Sequence, residues 1–260
     1  MLLWCKQCQR YQDELPPLDN YEVIFGLCPG CQAIHGLGDP DALIRLRPIS
    51  DLLGNFRVAA WRGDIAELER LFEEGLNLLV EPTDLLLGAL QPLLYDIGNA
   101  WARGGVTMAT EHRFTSFVET VLERLWLRLH LPKLSGRLDV LLVAAEGNYH
   151  TIGLRMVELL LRLNGFSCQA YYPGLPKQEV LALVDKHQPQ YLGASLFERG
   201  QLHWAQELAR ELPRHRATTL LLGGWAVRAG HVPRDQKIPA FRNAPEFLSY
   251  IRHSRLGKAG

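Results

Sequence analysis

The chain has no excess of either charge: 28 Lys and Arg stand against 28 Asp and Glu in 260 residues. A balanced surface offers no broad basic face, so nucleic-acid binding by bulk electrostatics is not expected. Long apolar runs are missing too. Arg, Asp, Glu or Pro interrupts each one before it could span a bilayer. The opening Met1-Leu2-Leu3-Trp4-Cys5-Lys6 lacks a charged segment followed by an apolar one, so no signal peptide is visible. Repeats and low-complexity stretches are absent. These gaps together describe a soluble cytoplasmic protein.

Cysteine is scarce and uneven: of five, four lie before position 32 in two close pairs. Such pairs in a cytosolic chain point to metal rather than disulfides. Cys5-x-x-Cys8 is followed by nineteen residues and then Cys28-Pro29-Gly30-Cys31. Each knuckle presents two thiolates from a tight turn, with Gly30 permitting the bend, and two knuckles close a tetrahedral zinc site. Residues 1–38 therefore read as a zinc ribbon with a strand at Tyr21–Phe25, folded by its metal because so short a segment lacks a core. His35 is the alternative ligand. The fifth cysteine, Cys168, lies in an apolar run and reads as a buried thiol.

Residues 39–50 read as a linker, and residues 50–131 as a four-helix bundle. Ser50 caps a helix carrying Leu52, Leu53, Phe56 and Ala60, which Gly63 ends. Asp64 caps a second, with Ile65, Leu68, Leu71 and Phe72 on one face. A third runs from near Thr83 to Trp101 with a kink at Pro92. Gly104-Gly105 stops it, and the fourth covers residues 107–130. From residue 137 to 255 the pattern changes to short apolar runs (138–145, 167–172, 190–195, 218–222) alternating with helical ones (152–163, 178–186, 201–212). A weaker strand and helix follow at 237–241 and 245–253. That alternation predicts a Rossmann-like, doubly wound parallel sheet, so the chain is multidomain, α and α/β.

In such a sheet ligands sit beyond the carboxyl ends of the strands. The loop after the first strand there reads Asn148-x-His150-x-x-Gly153. Gly193-Ala194-Ser195-Leu196 follows the third strand, and Gly223-Gly224 the fourth. Across the third and fourth helices runs Ile97-Gly98-x-x-Trp101, then nine residues, then Glu111-His112. This combination resembles the cobalamin-binding modules of methionine synthase and corrinoid methyl carriers. The Trp-x9-Glu-His spacing looks most like the CarH-type adenosylcobalamin photoreceptors.

The resemblance covers roughly residues 50–255 and implies roles for each mark. His150 would coordinate cobalt with the cofactor's own benzimidazole displaced. Gly193, Ser195, Gly223 and Gly224 would leave a slot for the nucleotide tail, with Ser195 bonding its base, and Gly153 would open the helix. Trp101 would cover the upper face, with Glu111 and His112 receiving an adenosyl group. Two positions depart from the pattern. Asn148 stands where these modules carry an acid that tunes the histidine, which suits static ligation better than repeated methyl transfer. Ala102 follows the tryptophan where the photoreceptors place a second cobalt-ligating histidine. Nor is there a winged helix for DNA.

The expected protein is therefore not an enzyme but a cobalamin sensor. It would use adenosylcobalamin and Zn2+, respond to light, and signal to a transcription regulator through ribbon or bundle. Direct DNA binding is not expected, and self-association is compatible. The alternatives are a corrinoid carrier of a methyltransferase system and a scaffold with a vestigial site.

Overall fold

Two hydrophobic patterns build two units, Met1–Leu125 and Trp126–Gly260. The computed structural model describes every residue except 36–41, 79, 130, 132–133, 135–136, 216–217, 234–237 and 257–260.

The first unit opens with three short strands, β1 (Leu2–Cys5), β2 (Tyr11–Glu14) and β3 (Val23–Gly26), in the order β2-β1-β3. β1 pairs antiparallel with β2 and parallel with β3. Of these only the third overlaps the expected strand at Tyr21–Phe25, starting two residues later and ending one residue beyond it. A short helix, α1 (Pro29–His35), begins within the second cysteine knuckle and carries Cys31, and Gly30 lies in its first turn rather than in a left-handed bend.

The helical part begins earlier than expected. α2 spans Ala42–Arg62, so the described part of the expected linker is helix, and Ser50 is inside it rather than at its cap. Leu46, Ile49, Leu52, Leu53 and Phe56 are all buried, one apolar stripe that carries the helix through Pro48. Gly63, at φ 65°, ends it. Asp64 then caps α3 (Ile65–Asn77) by accepting the Glu67 N–H at 3.1 Å.

The third rod is α4 (Pro82–Leu85), a π turn (Leu86–Leu90) and α5 (Gln91–Ala102) in succession. Pro92 has no N–H to offer the Gly88 carbonyl. The expected kink is realised one turn earlier, as a widened turn closed by the Gln91 N–H on the Leu86 carbonyl. α6 (Met108–Arg128) starts at Thr107, whose Oγ1 accepts the Thr110 N–H at 3.1 Å. Leu68, Leu71, Phe72, Leu90, Ile97, Phe114 and Val118 close the core of a four-helix bundle.

Ribbon and bundle form one body. Trp4 is fully buried, and a Cβ on Gly88 in the π turn would lie 2.5 Å from its Cζ2. Tyr11 packs edge-on against Trp4, Arg10 pairs with Asp84, and the Asn99 amide reaches the Tyr21 hydroxyl at 3.5 Å. The ribbon thus borrows a core from the bundle instead of depending on metal alone.

The second unit is a parallel sheet, β4 (Val140–Ala144), β5 (Cys168–Tyr171), β6 (Tyr191–Ser195) and β7 (Thr219–Gly223), in the order β5-β4-β6-β7. α8 (Lys177–His187) and α9 (Leu202–His215) cover the face carrying Leu141, Val143, Leu192, Ala194 and Leu222. α11 (Ala244–Leu256) lies over the other face, where Tyr250 meets Tyr191 edge-on. α7 (Ile152–Leu163) and the short α10 (Trp225–Arg228) complete the crossovers. The expected strand at 237–241 reduces, among the described residues, to one bridge between Ala240 and Leu222. No described helix is long and apolar enough to cross a membrane.

Candidate functional site

The four cysteines meet, with sulfurs all within 4.8 Å of one another. Four thiolates around zinc lie about 3.8 Å apart if each bond is about 2.3 Å long. The Cys28 N–H points at the Cys5 sulfur and the Cys31 N–H at the Cys28 sulfur, both at 3.4 Å. Burial opposes ionisation of Cys5, yet the N–H groups of Cys28, Cys8 and Gln7 bring it down to about 6. Burial and the Cys5 thiol raise Cys8, and the Cys28 thiol heads the causes that push Cys31 up to about 12. Four sulfurs gathered this closely are a donor set suited to a cation, whose charge would offset the repulsion among their thiolates. Among the described residues it is the only cluster of metal-type donors. Of the His35 side chain nothing is described.

In the second unit the register sets Ala144 beside Ser195 and Ser195 beside Gly223, so three strand ends share one edge. Asn148, His150, Ser195, Gly223 and Gly224 gather there. Asn148 is buried, 1 % exposed, and both ends of its amide are committed. Its Nδ2 donates to the Ser195 carbonyl at 3.0 Å, and its Oδ1 accepts the His150 backbone N–H at 2.9 Å. Asparagine here is a bracket between two loops rather than a partner presented to the imidazole.

His150 itself is exposed, with its ring stacked on Phe197 at 3.4 Å and 16°. Phe197 was not singled out from sequence. Nothing local marks it, because its partner lies 47 residues away across β4 and β6.

The glycines divide. Gly224 is at φ 92°, and a Cβ there would collide with the Leu196 carbonyl, so the chain's close approach demands it. Gly193 was expected to leave a slot open, but Leu142 and Phe247 fill its space, at 2.6 and 3.4 Å from where a Cβ would be. A Cβ on Gly223 would meet only ordinary contact, and Gly153 faces open space at the start of α7.

In the first unit Trp101 lies in the last turn of α5 with its side chain half exposed, and Glu111 and His112 lie in the first turns of α6. Glu111 is engaged by its own helix: His112 Nδ1 lies 2.6 Å from Oε2 and the Thr115 hydroxyl donates to Oε1 at 2.8 Å. A carboxylate oxygen has a second lone pair, so both can still accept. His112 also lines an open groove of about 320 Å³ between α3 and α6, with Ile65, Glu69, Arg113, Ser116, Phe117 and Thr120. Neither Trp101 nor Glu111 lines it.

Residues 53–125 match the family described as the B12 binding domain. The bundle is where this chain meets a known family. That match runs from within α2 to near the end of α6 and includes Trp101, Glu111 and His112. Among solved structures, the monomethylamine corrinoid protein of Methanosarcina barkeri aligns over 78% of this chain and 98% of its own, at 19% identity and TM-score 0.66. The fold, bundle plus parallel sheet, is therefore shared with that protein. The methanol:cobalamin methyltransferase complex of the same organism aligns over 86% of this chain and 89% of its own, at 21% identity and TM-score 0.37. A cobalamin-binding protein of Desulfitobacterium hafniense DCB-2 aligns over 78% and 98%, at 13% identity and TM-score 0.37. No curated protein matches the chain.

Proposed function

We propose that this protein binds a cobalamin and acts as a sensor of it, with His150 coordinating cobalt. The match of residues 53–125 to the B12 binding domain carries the reading. The exposed histidine at the carboxyl end of β4 supports it. Trp101, Glu111 and His112 are the residues proposed to meet the upper ligand. An indole and a carboxylate suit an adenosyl group, whose ring stacks and whose ribose and amine donate hydrogen bonds.

Asn148 favours static ligation, because its amide, fixed between Ser195 and the His150 backbone, neither takes up nor releases a proton. With Ala102 beside Trp101, the illuminated state would hold His112 or water on cobalt. The four cysteines are proposed to bind structural zinc, and the signal to pass to a protein partner. A carrier of corrinoid methyl groups is the second reading, favoured by the shared fold with a monomethylamine corrinoid protein.

Paired dark titrations with adenosyl- and methylcobalamin separate the two. A sensor built for the adenosyl group binds it at least about tenfold tighter, which needs about 1.4 kcal/mol, less than one well-packed ring contributes. Trp101→Ala should erase that preference. Green light should then change the hydrodynamic size. Equal affinities with no response to light would leave the carrier. His150→Ala should weaken binding and shift the visible spectrum toward base-off, and an unchanged spectrum would remove His150 from cobalt.

A further inference from the structure

The loops that follow β4 and β6 are cross-stitched by two buried amides. Asn148 ties the first to Ser195, as above. Gln201, 7 % exposed, works in the opposite direction. Its Oε1 accepts the Phe197 N–H at 2.7 Å, and its Nε2 donates to the Glu146 carbonyl at 3.2 Å. It also closes a reciprocal cap with Glu198 at the turn Arg199–Gln201. The backbone of Phe197 is thus held by the same amide that holds the start of the histidine loop. From that anchor its ring lies flat on His150.

We infer that Phe197, seated by Gln201, is a positioning residue for the His150 imidazole. Its stacking restrains the ring's orientation for metal coordination. The inference rests on the reading that His150 ligates cobalt. Ring nitrogens coordinate through lone pairs in the ring plane, whereas stacking covers a face. Stacking on Phe197 therefore restricts rotation about the Cβ–Cγ bond while the phenyl ring itself leaves the in-plane positions of the imidazole uncovered. Backbone and ring are fixed separately: Asn148 holds the His150 N–H and Phe197 holds the imidazole.

The test loads the full chain with cobalamin and reads coordination directly. Electron paramagnetic resonance of the cob(II)alamin form shows nitrogen splitting when the imidazole is bound, and the visible spectrum gives the ratio of histidine-on to histidine-off. Phe197→Ala should lower that ratio roughly two- to tenfold, the worth of a stacked pair. Phe197→Trp should retain it, and Gln201→Leu should lower it in the same direction. Phe197 is partly exposed, so its truncation leaves the core intact. A structural role alone would change the thermal midpoint without changing the ratio. If Phe197→Ala keeps the wild-type ratio while His150→Ala loses the nitrogen splitting, positioning is overturned and cobalt ligation stands. If wild type itself shows no His150-dependent splitting, both fall.

Discussion

Gly88→Ala puts helix propensity and packing in direct opposition. Alanine is favoured over glycine in a helix by about 1 kcal/mol, so propensity alone makes the variant more stable. The packing points the other way. A Cβ at 88 would lie 2.5 and 3.0 Å from Trp4 Cζ2 and Cε2 and 2.9 Å from Tyr11 Cδ2. Both rings are rigid, and Trp4 is fully buried, so neither has slack to yield. Overpacking of this kind costs about 1–3 kcal/mol, and here the upper part of that range applies.

The net expectation is a loss of roughly 1–2 kcal/mol, with the ribbon partly lifted from the rod. Gly98, in the same rod beyond the π turn, has nothing within 4 Å of its Cβ position. Gly98→Ala should therefore gain close to the full propensity term, about 1 kcal/mol. Urea unfolding of both variants checks the sign, and the rate of metal loss to a chelator checks the lifting. If the two substitutions stabilise equally, Trp4 does not pack on the π turn, and the account of ribbon docking is wrong.

Zinc analysis should find one ion per chain, lost in Cys28→Ser. Because Trp4 and Tyr11 pack on the bundle, stripping the metal should lower the stability of the first unit as a whole and not merely unfold residues 1–38. Metal absent from freshly purified protein, or kept in Cys28→Ser, would refute this. Burial pushes Asp84 up to about 6 despite the Arg10 guanidinium beside it. Its folded value lies above its ordinary one near 3.8, so its stabilising contribution is full below that pH and lost as pH rises through 6. Asp84→Asn should therefore gain on wild type in unfolding free energy between about pH 4 and 6. A constant difference across that window would contradict the burial argument.

What could be read from the sequence followed from strong local signals. Asp64 before Ile65 and Leu68, or the unbroken apolar run 140–145 before a glycine loop, express a cap and a buried strand within a few residues. Of the two further ribbon strands, β1 is a short apolar run at the start of the chain and β2 has no such pattern. Tyr11-Gln12-Asp13-Glu14 is polar, and it is a strand only because β1 pairs with it. The helix through 42–50 was read as linker because Pro48 is normally a breaker. Its buried stripe of Leu46, Ile49, Leu52 and Leu53 outweighs one missing hydrogen bond. Gly88 packs on Trp4 and Phe197 on His150, and both partners are remote in sequence.

Asn148 shows how the surroundings of a side chain decide which residue a motif position takes. The resemblance directs attention to an acid there, and the asparagine looks like a weakened version of one. The structure asks something different of the side chain. One end faces a carbonyl and must donate, while the other faces an N–H and must accept, all at 1 % exposure. Aspartate offers acceptors only, so in this geometry it would confront the Ser195 carbonyl and bury a charge or a shifted proton. An unsatisfied buried polar group costs about 1–3 kcal/mol, comparable to what the bracket contributes. The amide is thus the residue these two loops require, while the ring beside it stacks on Phe197.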